Sequence, residues 1–443
     1  MAEAKRESFG GKAAYILALA GSAIGLGNIW RFPFMVGEHG GAAFVIVYVL
    51  CSFLISLPIF LSEAIIGKKA GLGTYRAMEK LAPHPAWKAL GYLPLVACFV
   101  IVSYYCVVGG WSVDYLGRSL FTGLDTATRD GATALFGKIS GSVWEPLIAH
   151  AIFLGVTAVI VALGVQKGIE IFSKVSIPML FVMMVVVTIY SVTLPGADEG
   201  VRYLLEPDFS KLDASAIAGA MGQSFFSMSL GVGMVVTYSS YSSKNSGVVS
   251  AGIWTAVFDT LFAILAGFAV MPAVFAGGLK PEAGPSLVFE ALPYVFGRMG
   301  IDLPIFSRIV TVLFFLSILL AALSSSISLL EVCVNHIMEH HGLSRGKSTL
   351  IILLFAWILG VLCSLSFGIL GGVKLFGQNI FSFCDLLTSN YLMTLGALAF
   401  ALFVGWRMKK ADVQSEVGKF FCFLIRWIVP LAIIAIFLSN LFL

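Results

Sequence analysis

Charge is scarce in this chain. Only 12% of its 443 residues are Asp, Glu, Lys or Arg, against 59% hydrophobic. A water-soluble domain of this length needs a far more charged surface, so that class is excluded and a polytopic membrane protein is implied. The net charge of +4 is too small to point to nucleic acid. Cysteine gives no framework either. Cys51, Cys98, Cys106, Cys333, Cys363, Cys384 and Cys422 all fall in apolar stretches. Their spacing suits neither disulfides nor zinc, so they read as small buried hydrophobes. No Pro/Gly/Ser-rich linker or low-complexity tract interrupts the chain, which implies one domain over 1–443. No nucleophile–base pair or metal constellation is present, so no enzyme and no organic cofactor are expected. Gly342 to Ser348 is one residue short of a phosphate-binding loop and follows no strand. His336 and His340 stand four apart without a third ligand. The GxG runs at 25–27 and 231–233 lack a βαβ context.

What the chain has is long apolar runs. Eleven segments are expected, at 13–37, 42–67, 91–118, 146–165, 170–194, 215–241, 248–276, 303–336, 348–371, 378–406 and 420–441. About 20 residues cross a bilayer, so several imply tilt or kinks. The loops on one side carry 17 basic residues and those on the other 10, which puts the N-terminus inside and, because eleven is odd, the C-terminus outside. The basic start followed by Ala18-Leu19-Ala20 has the form of a cleavable signal, but the apolar run continues well past it. Loops at 119–145, 195–214 and 277–302 are long and polar enough to form lids, although nothing in them requires it.

Two segments are built to break. Residues 20–36 read AGSAIGLGNIWRFPFMV, with Gly21, Gly25, Gly27, Asn28, Arg31 and Pro33 inside a run long enough to span. Glycine and proline weaken helices, and an arginine at that depth is costly without a partner. Residues 222–241 read GQSFFSMSLGVGMVVTYSSY and are interrupted by Ser227, Ser229, Gly231 and Gly233. Close packing through small residues explains either segment alone. A pair of interrupted segments five apart, one carrying Asn28 and Arg31, points instead to unwound backbone facing a solute in mid-membrane, as in secondary transporters.

These two runs, together with LAALSSSISLLE at 320–331, SYYCVVGGW at 103–111, Asp385 and Lys5-Arg6-Glu7, resemble the neurotransmitter:sodium symporter family over nearly the whole chain. The resemblance implies an all-α membrane protein of the leucine-transporter type. Its 5+5 inverted repeat would comprise 13–194 and 215–406, with helices 1 and 6 broken and 420–441 as an added eleventh. It implies a sodium-coupled symporter that imports hydrophobic or aromatic L-amino acids by alternating access across a bacterial inner membrane. A sodium-gated channel or amino-acid sensor on the same fold is the alternative, ahead of a membrane enzyme.

By position in the family pattern, two sodium ions are expected. The first would use Ala23, Asn28, Ser227 and Asp259. The second would use carbonyls of Gly21, Ile24 and Ala321 with hydroxyls of Ser324 and Ser325. Such hard oxygen ligands suit a small hard cation, whereas a lone serine run more often bonds back to its own helix. The amino acid would lie among Ser22, Ala23, Gly25, Leu26, Gly27, Ile101, Tyr105, Phe226, Ser227, Ser229, Val232, Ser325 and Leu329. Relatives that carry monoamines have Asp where this chain has Gly25, so a substrate with its own carboxylate is implied, held by Tyr105. The outer gate would be Arg31 with Asp385, and the inner gate Arg6 with Glu339, supported by Tyr241. Where chloride-dependent relatives place their anion, this chain has Tyr48, Gln223, Asp259 and Ala263, which implies transport without chloride. Phe9 replaces a usual Trp and implies a looser N-terminal latch. Gly168 and Pro178 resemble a motif that lets segment five unwind, or mark an ordinary kink. Glu63 and Glu331 are expected to brace broken helices by accepting backbone N–H bonds.

Overall fold

All eleven apolar segments fold as helix, and the two glycine-rich ones are the two that break. The computed structural model describes residues 7–82, 84–243, 246–281, 288–299 and 304–442. Arg6, the basic half of the expected inner gate, lies outside them. Among the described residues nine helices are long and apolar enough to cross a membrane, from Ala42–Ala70 to Lys410–Leu438. The bent pair Lys12–Ala23 and Gly27–Glu38, with 47° between its halves, forms one further span, the first in chain order. The sixth segment consists of Ala214–Ser227 and Met234–Ser240, each too short to cross alone. Together these are consistent with the eleven expected. The ninth helix ends at Leu365 rather than at 371, where Gly368, Gly371 and Gly372 introduce turns. Short helices Arg129–Gly141, Asp198–Leu205 and Ala291–Met299 occupy the three long polar loops.

The breaks follow from residues that a helix tolerates poorly. In segment one, Ile24 leaves helical geometry at φ −69, ψ 104, and the chain resumes as a wide π-helical turn at Gly27–Arg31 with Pro33 just inside the next helix. In segment six, Ser229 (φ 53), Gly231 (φ 81) and Gly233 (φ 73) all adopt left-handed geometry. For Ser229 that conformation costs roughly 1–2 kcal/mol. Its hydroxyl donates to the Ser22 carbonyl at 3.0 Å, which ties one break to the other.

Gly231 is required for a second reason. A Cβ there would meet the Met393 carbonyl oxygen at 2.0 Å, and a Cβ on Gly396 would meet the Gly231 carbonyl at 2.1 Å. Segments six and ten thus pack backbone to backbone, as membrane helices do through small residues. The freed Gly231 N–H donates to the fully buried Glu63 at 2.7 Å, the bracing expected of that acid. A backbone N–H left without an acceptor in hydrocarbon would cost several kcal/mol. Around the broken pair stand the third span (Pro85–Phe121) and the eighth (Pro304–His341), which pack against each other extensively and present Tyr104, Tyr105, Ser324 and Ser325 inward.

Candidate functional site

The unwound stretches lie side by side, and the polar groups they free are shared between them. Asn28 is wholly buried. Its carbonyl oxygen accepts the Gly25 N–H at 3.0 Å. Its amide donates toward Ser227 Oγ at 2.9 Å and Asp259 Oδ1 at 2.7 Å. The Ser227 hydroxyl lies 2.9 Å from both carboxylate oxygens of Asp259, and the Tyr48 hydroxyl lies 3.3 Å from Oδ2. Asp259 is therefore ringed by donors in a place sealed from water. Gln223 donates to the Gly27 carbonyl at 2.9 Å, while Ala263, also buried, brings no polar atom.

A second cluster of oxygens forms where the first break meets the eighth span. The Ser324 hydroxyl lies 2.9 Å from the Ile24 carbonyl and 2.8 Å from the Ala321 carbonyl. Ser325, one residue on, points elsewhere. Its hydroxyl bonds with Tyr105, and a Cβ on Gly25 would come within 2.2 Å of it. The Gly21 α-carbon faces Ile177 and Ser173 of segment five. Among the described residues no three His, Cys, Asp or Glu side chains gather as they do around transition metals. The oxygens present in both clusters are carboxylate, amide, hydroxyl and carbonyl, which is chemistry suited to a hard monovalent cation.

Between the clusters lies a cavity of about 30 Å³ lined by Ala23, Gly25, Gly27, Ile101, Tyr105, Phe226, Ser229, Val232, Ser325 and Leu329, with Met234 and Met393. The first ten were expected from sequence, and the two methionines were not. Ser22, Leu26 and Ser227 stand just behind: Ser22 offers its carbonyl to Ser229, and the Leu26 N–H donates to the Tyr105 hydroxyl at 3.1 Å. No lining side chain is charged. Phe226 and Met393 also line a cavity of about 260 Å³ beyond, with Arg31, Met35 and His39, so these two side chains partition one space from the other.

The surroundings of the expected gates differ in detail from the sequence reading. Arg31 lies over the Phe226 ring, 4.8 Å from its centre, and makes no ion pair with Asp385 within 4.0 Å. Asp385 accepts from Tyr104 at 3.0 Å and Ser389 at 3.1 Å. On the inner side Glu339 accepts the Gly73 N–H at 3.0 Å, and the Tyr241 hydroxyl lies 2.6 Å from Glu331 and 2.9 Å from Asn335. Glu331 is not the backbone brace expected of it. Arg345, at the start of the ninth span, contacts it at 2.6 Å and also reaches Glu7 at 3.2 Å. Glu7 accepts the Val165 N–H at 2.7 Å, and Gly10 donates to Glu170 at 2.8 Å. Phe9 is buried against Tyr15, Tyr238 and Tyr241, and its N–H donates to the Tyr241 carbonyl at 3.0 Å, which is a firm seat rather than a loose one. Segment five makes a wide turn at Val165–Glu170 around Gly168 and continues helical through Pro178.

Arg345 and Glu7 were missed, although an acid at membrane depth such as Glu331 calls for a cation. Removing the arginine should leave a fully buried carboxylate unpaired, at a cost of about 3–5 kcal/mol. Arg345→Ala is expected to unfold at clearly lower temperature in detergent, and adding Glu331→Gln should restore much of the loss. Equal stability of parent and single variant would show that the pair does not hold the inner face together.

Comparison with known proteins places this geometry. The chain matches the family described as "Sodium:neurotransmitter symporter family" over residues 6–131 and 138–443. It is 38% identical to the sodium-dependent transporter YhdH of Bacillus subtilis (strain 168), over 99% of this chain and 98% of that protein. It is 28% identical to the sodium-dependent serotonin transporter of Drosophila melanogaster, over 99% of this chain and 77% of that one. Among solved structures it superposes on MhsT in complex with L-phenylalanine with a TM-score of 0.91 and 42% identity, covering 98% of this chain and 100% of MhsT. The chain therefore belongs to the sodium:neurotransmitter symporter family, as a multi-pass, sodium-dependent transporter of the leucine-transporter fold and not an enzyme.

Proposed function

We propose that this transporter imports hydrophobic and aromatic L-amino acids with sodium, at two sodium sites and without chloride, by alternating access in a bacterial inner membrane. Its N-terminus faces the cytoplasm and its C-terminus the outside, and residues 13–194 and 215–406 act as two inverted repeats of one domain.

The observation that carries the substrate class is Gly25. The space its side chain would fill is taken by the Ser325 hydroxyl, and the Tyr105 hydroxyl lies 3.1 Å from a Cβ placed there. Among the described residues no carboxylate lines the cavity to pair with a bare amine, so the substrate would bring its own. That carboxylate would meet the Tyr105 hydroxyl and the positive N-terminal end of the helix that resumes at Gly27. Its negative charge would also lie close to Asn28 and Asp259 and help complete the first sodium site. Ile101, Val232, Met234, Leu329 and Met393 leave an uncharged surface for the side chain, as expected for an apolar or aromatic one. The phenylalanine bound to MhsT is of that class. The second sodium site would be formed by Ser324 with the Ile24 and Ala321 carbonyls, with Gly21 and Ser325 beside them. Substrate and sodium entering from outside would draw Phe226 and Arg31 over the site. Release inward would need the Glu7, Arg345 and Glu331 contacts to part.

Uptake into sealed proteoliposomes tests this reading. With a sodium gradient, phenylalanine, tryptophan and leucine should accumulate or compete, and phenethylamine and tryptamine should not. Steady accumulation excludes the sensor and channel alternatives. Tight binding of tryptamine together with failure of tryptophan would overturn the substrate class.

A further inference from the structure

The transport machinery makes no use of Arg426, an arginine inside the last membrane span. It stands eight residues past Gly418, whose φ of 78 marks the kink where that helix turns, so it is about 12 Å along the helix axis from the kink. Its surroundings are aromatic. The guanidinium centre lies 4.5 Å from the centre of a Trp406 ring and 5.9 Å from that of Trp427, and the two indoles meet edge to face at 4.7 Å and 81°. Two facing π-helical turns, Phe403–Arg407 and Leu424–Ile428, build this cage. The Trp406 indole N–H donates to the Arg426 carbonyl at 3.0 Å. Gly405 permits the approach, since a Cβ there would come within 3.1 Å of the Arg426 α-carbon.

The cage holds the cation without neutralising it. Among the described residues Arg426 has no carboxylate within 4.0 Å and no acceptor for its guanidinium N–H groups. An arginine at membrane depth is stable when a counter-charge or a polar acceptor reaches it. The nearby acids are directed elsewhere: Asp412 and Glu416 pair with Lys69 and Lys68 of the second span, at 3.6 and 3.0 Å. The exposed Arg407, Lys409, Lys410 and Lys419 remain around the cage without ion pairs among the described residues. Phe420, Phe423, Trp427 and Ile428 expose apolar surface beside it, 39% to 60% each.

We propose that the face formed by the tenth and eleventh spans around Arg426 binds an anionic phospholipid. Its phosphate pairs with Arg426 and the flanking basic residues, and its acyl chains lie farther along the span on Ile428, Leu431 and Ile434, which are 39%, 65% and 43% exposed. Guanidinium presents two parallel N–H donors to phosphate oxygens, a geometry lysine lacks. Basic pockets between membrane helices bind acidic headgroups for this reason. The adjoining apolar surface favours a lipid over free phosphate. The proposal depends on where the membrane lies and not on the transported substrate, so either can fail without the other.

Tryptophan quenching by brominated lipid reads the site directly. The full chain, with the lipid-exposed Trp144 and Trp254 changed to Phe to lower the background, is reconstituted in phosphatidylcholine vesicles. These contain a minor fraction of either dibromo-phosphatidylglycerol or dibromo-phosphatidylcholine. The anionic probe should quench with a preference of roughly fivefold. Arg426→Gln should bring the two probes to near equality, Arg426→Lys should keep part of the preference, and inorganic phosphate in the buffer should leave it unchanged. Sodium-driven uptake confirms that each variant is folded. Equal quenching by both probes in the parent overturns the proposal. So does a preference that survives Arg426→Gln in full, because general surface charge then suffices. A preference abolished by inorganic phosphate would identify a free-phosphate site and reject the lipid.

Discussion

Asn28→Ala and Ser324→Ala should each remove most sodium-driven uptake, and the two should fail in distinguishable ways. Asn28 joins Gly25, Ser227 and Asp259 across both breaks, so its loss would remove the proposed oxygen ligand and leave the Gly25 N–H without its acceptor, while Ser227 and Asp259 keep each other and Tyr48. Among the described residues the Ser324 hydroxyl bonds only the Ile24 and Ala321 carbonyls, so its loss should weaken one proposed ion site and spare the fold. A hydrogen bond or ligand contact to a charged group is worth about 1.5–3 kcal/mol. Half-saturation for sodium should therefore rise by roughly ten- to a hundredfold. Initial uptake rates against sodium concentration in proteoliposomes measure this, with thermal unfolding as the control for folding. Undiminished transport with unchanged sodium dependence in both variants would refute the assignment of these oxygens to ions.

Replacing chloride by gluconate should leave uptake intact, and Asp259 is the reason. Cations gathered in a low-dielectric interior need a fixed negative charge nearby, and one at about 4 Å is worth about 4 kcal/mol at an effective dielectric constant of about 20. Asp259 stands among Asn28, Ser227 and Tyr48, all with donors directed at its oxygens, and is the carboxylate placed to supply that charge. Asp259→Asn should abolish uptake in gluconate. Adding Ala263→Ser, which supplies a hydroxyl at the place where chloride-dependent relatives use one, should return some transport only when chloride is present. If Asp259 takes a proton once sodium has left and carries it outward on the return step, an acidic vesicle interior should speed uptake. A strict chloride requirement in the parent would end this account. No chloride effect in the double variant would leave Asp259 without the role.

Three half-buried arginines show how a single residue type serves different ends here. Arg31 rests on the Phe226 ring over the cavity, Arg345 is clamped between Glu7 and Glu331, and Arg426 stands in an indole cage without an acid. Sequence position alone marks Arg31 and Arg426 as costly at their depth. The partner decides what each one does: Phe226 and Glu7 come from distant parts of the chain, whereas Glu331, Trp406 and Trp427 come from the same or the neighbouring span.

The membrane class, the positions of the apolar helices and the two breaks are legible in the sequence because they depend on local properties, and most of the cavity lining because of the family resemblance. Scarce charge excludes a soluble surface, twenty apolar residues cross a bilayer, and clustered glycine and serine weaken a helix where they stand. Gly25, Asn28, Ser227 and Asp259 are recognisable as a set because a family pattern fixes their order along the chain. What the sequence leaves open is contact between segments far apart in number. Met393 reaches the cavity only because Gly231 and Gly396 let segments six and ten touch backbone to backbone. Ser324 and Ser325 are neighbours in sequence, yet helical geometry turns one toward the Ile24 carbonyl and the other toward Tyr105. Glu331 reads as a helix brace until the fold brings Arg345 and Tyr241 to it. Periodicity and composition report what each residue prefers, whereas the partners of a buried charge or hydroxyl are set by which helices the tertiary structure places side by side.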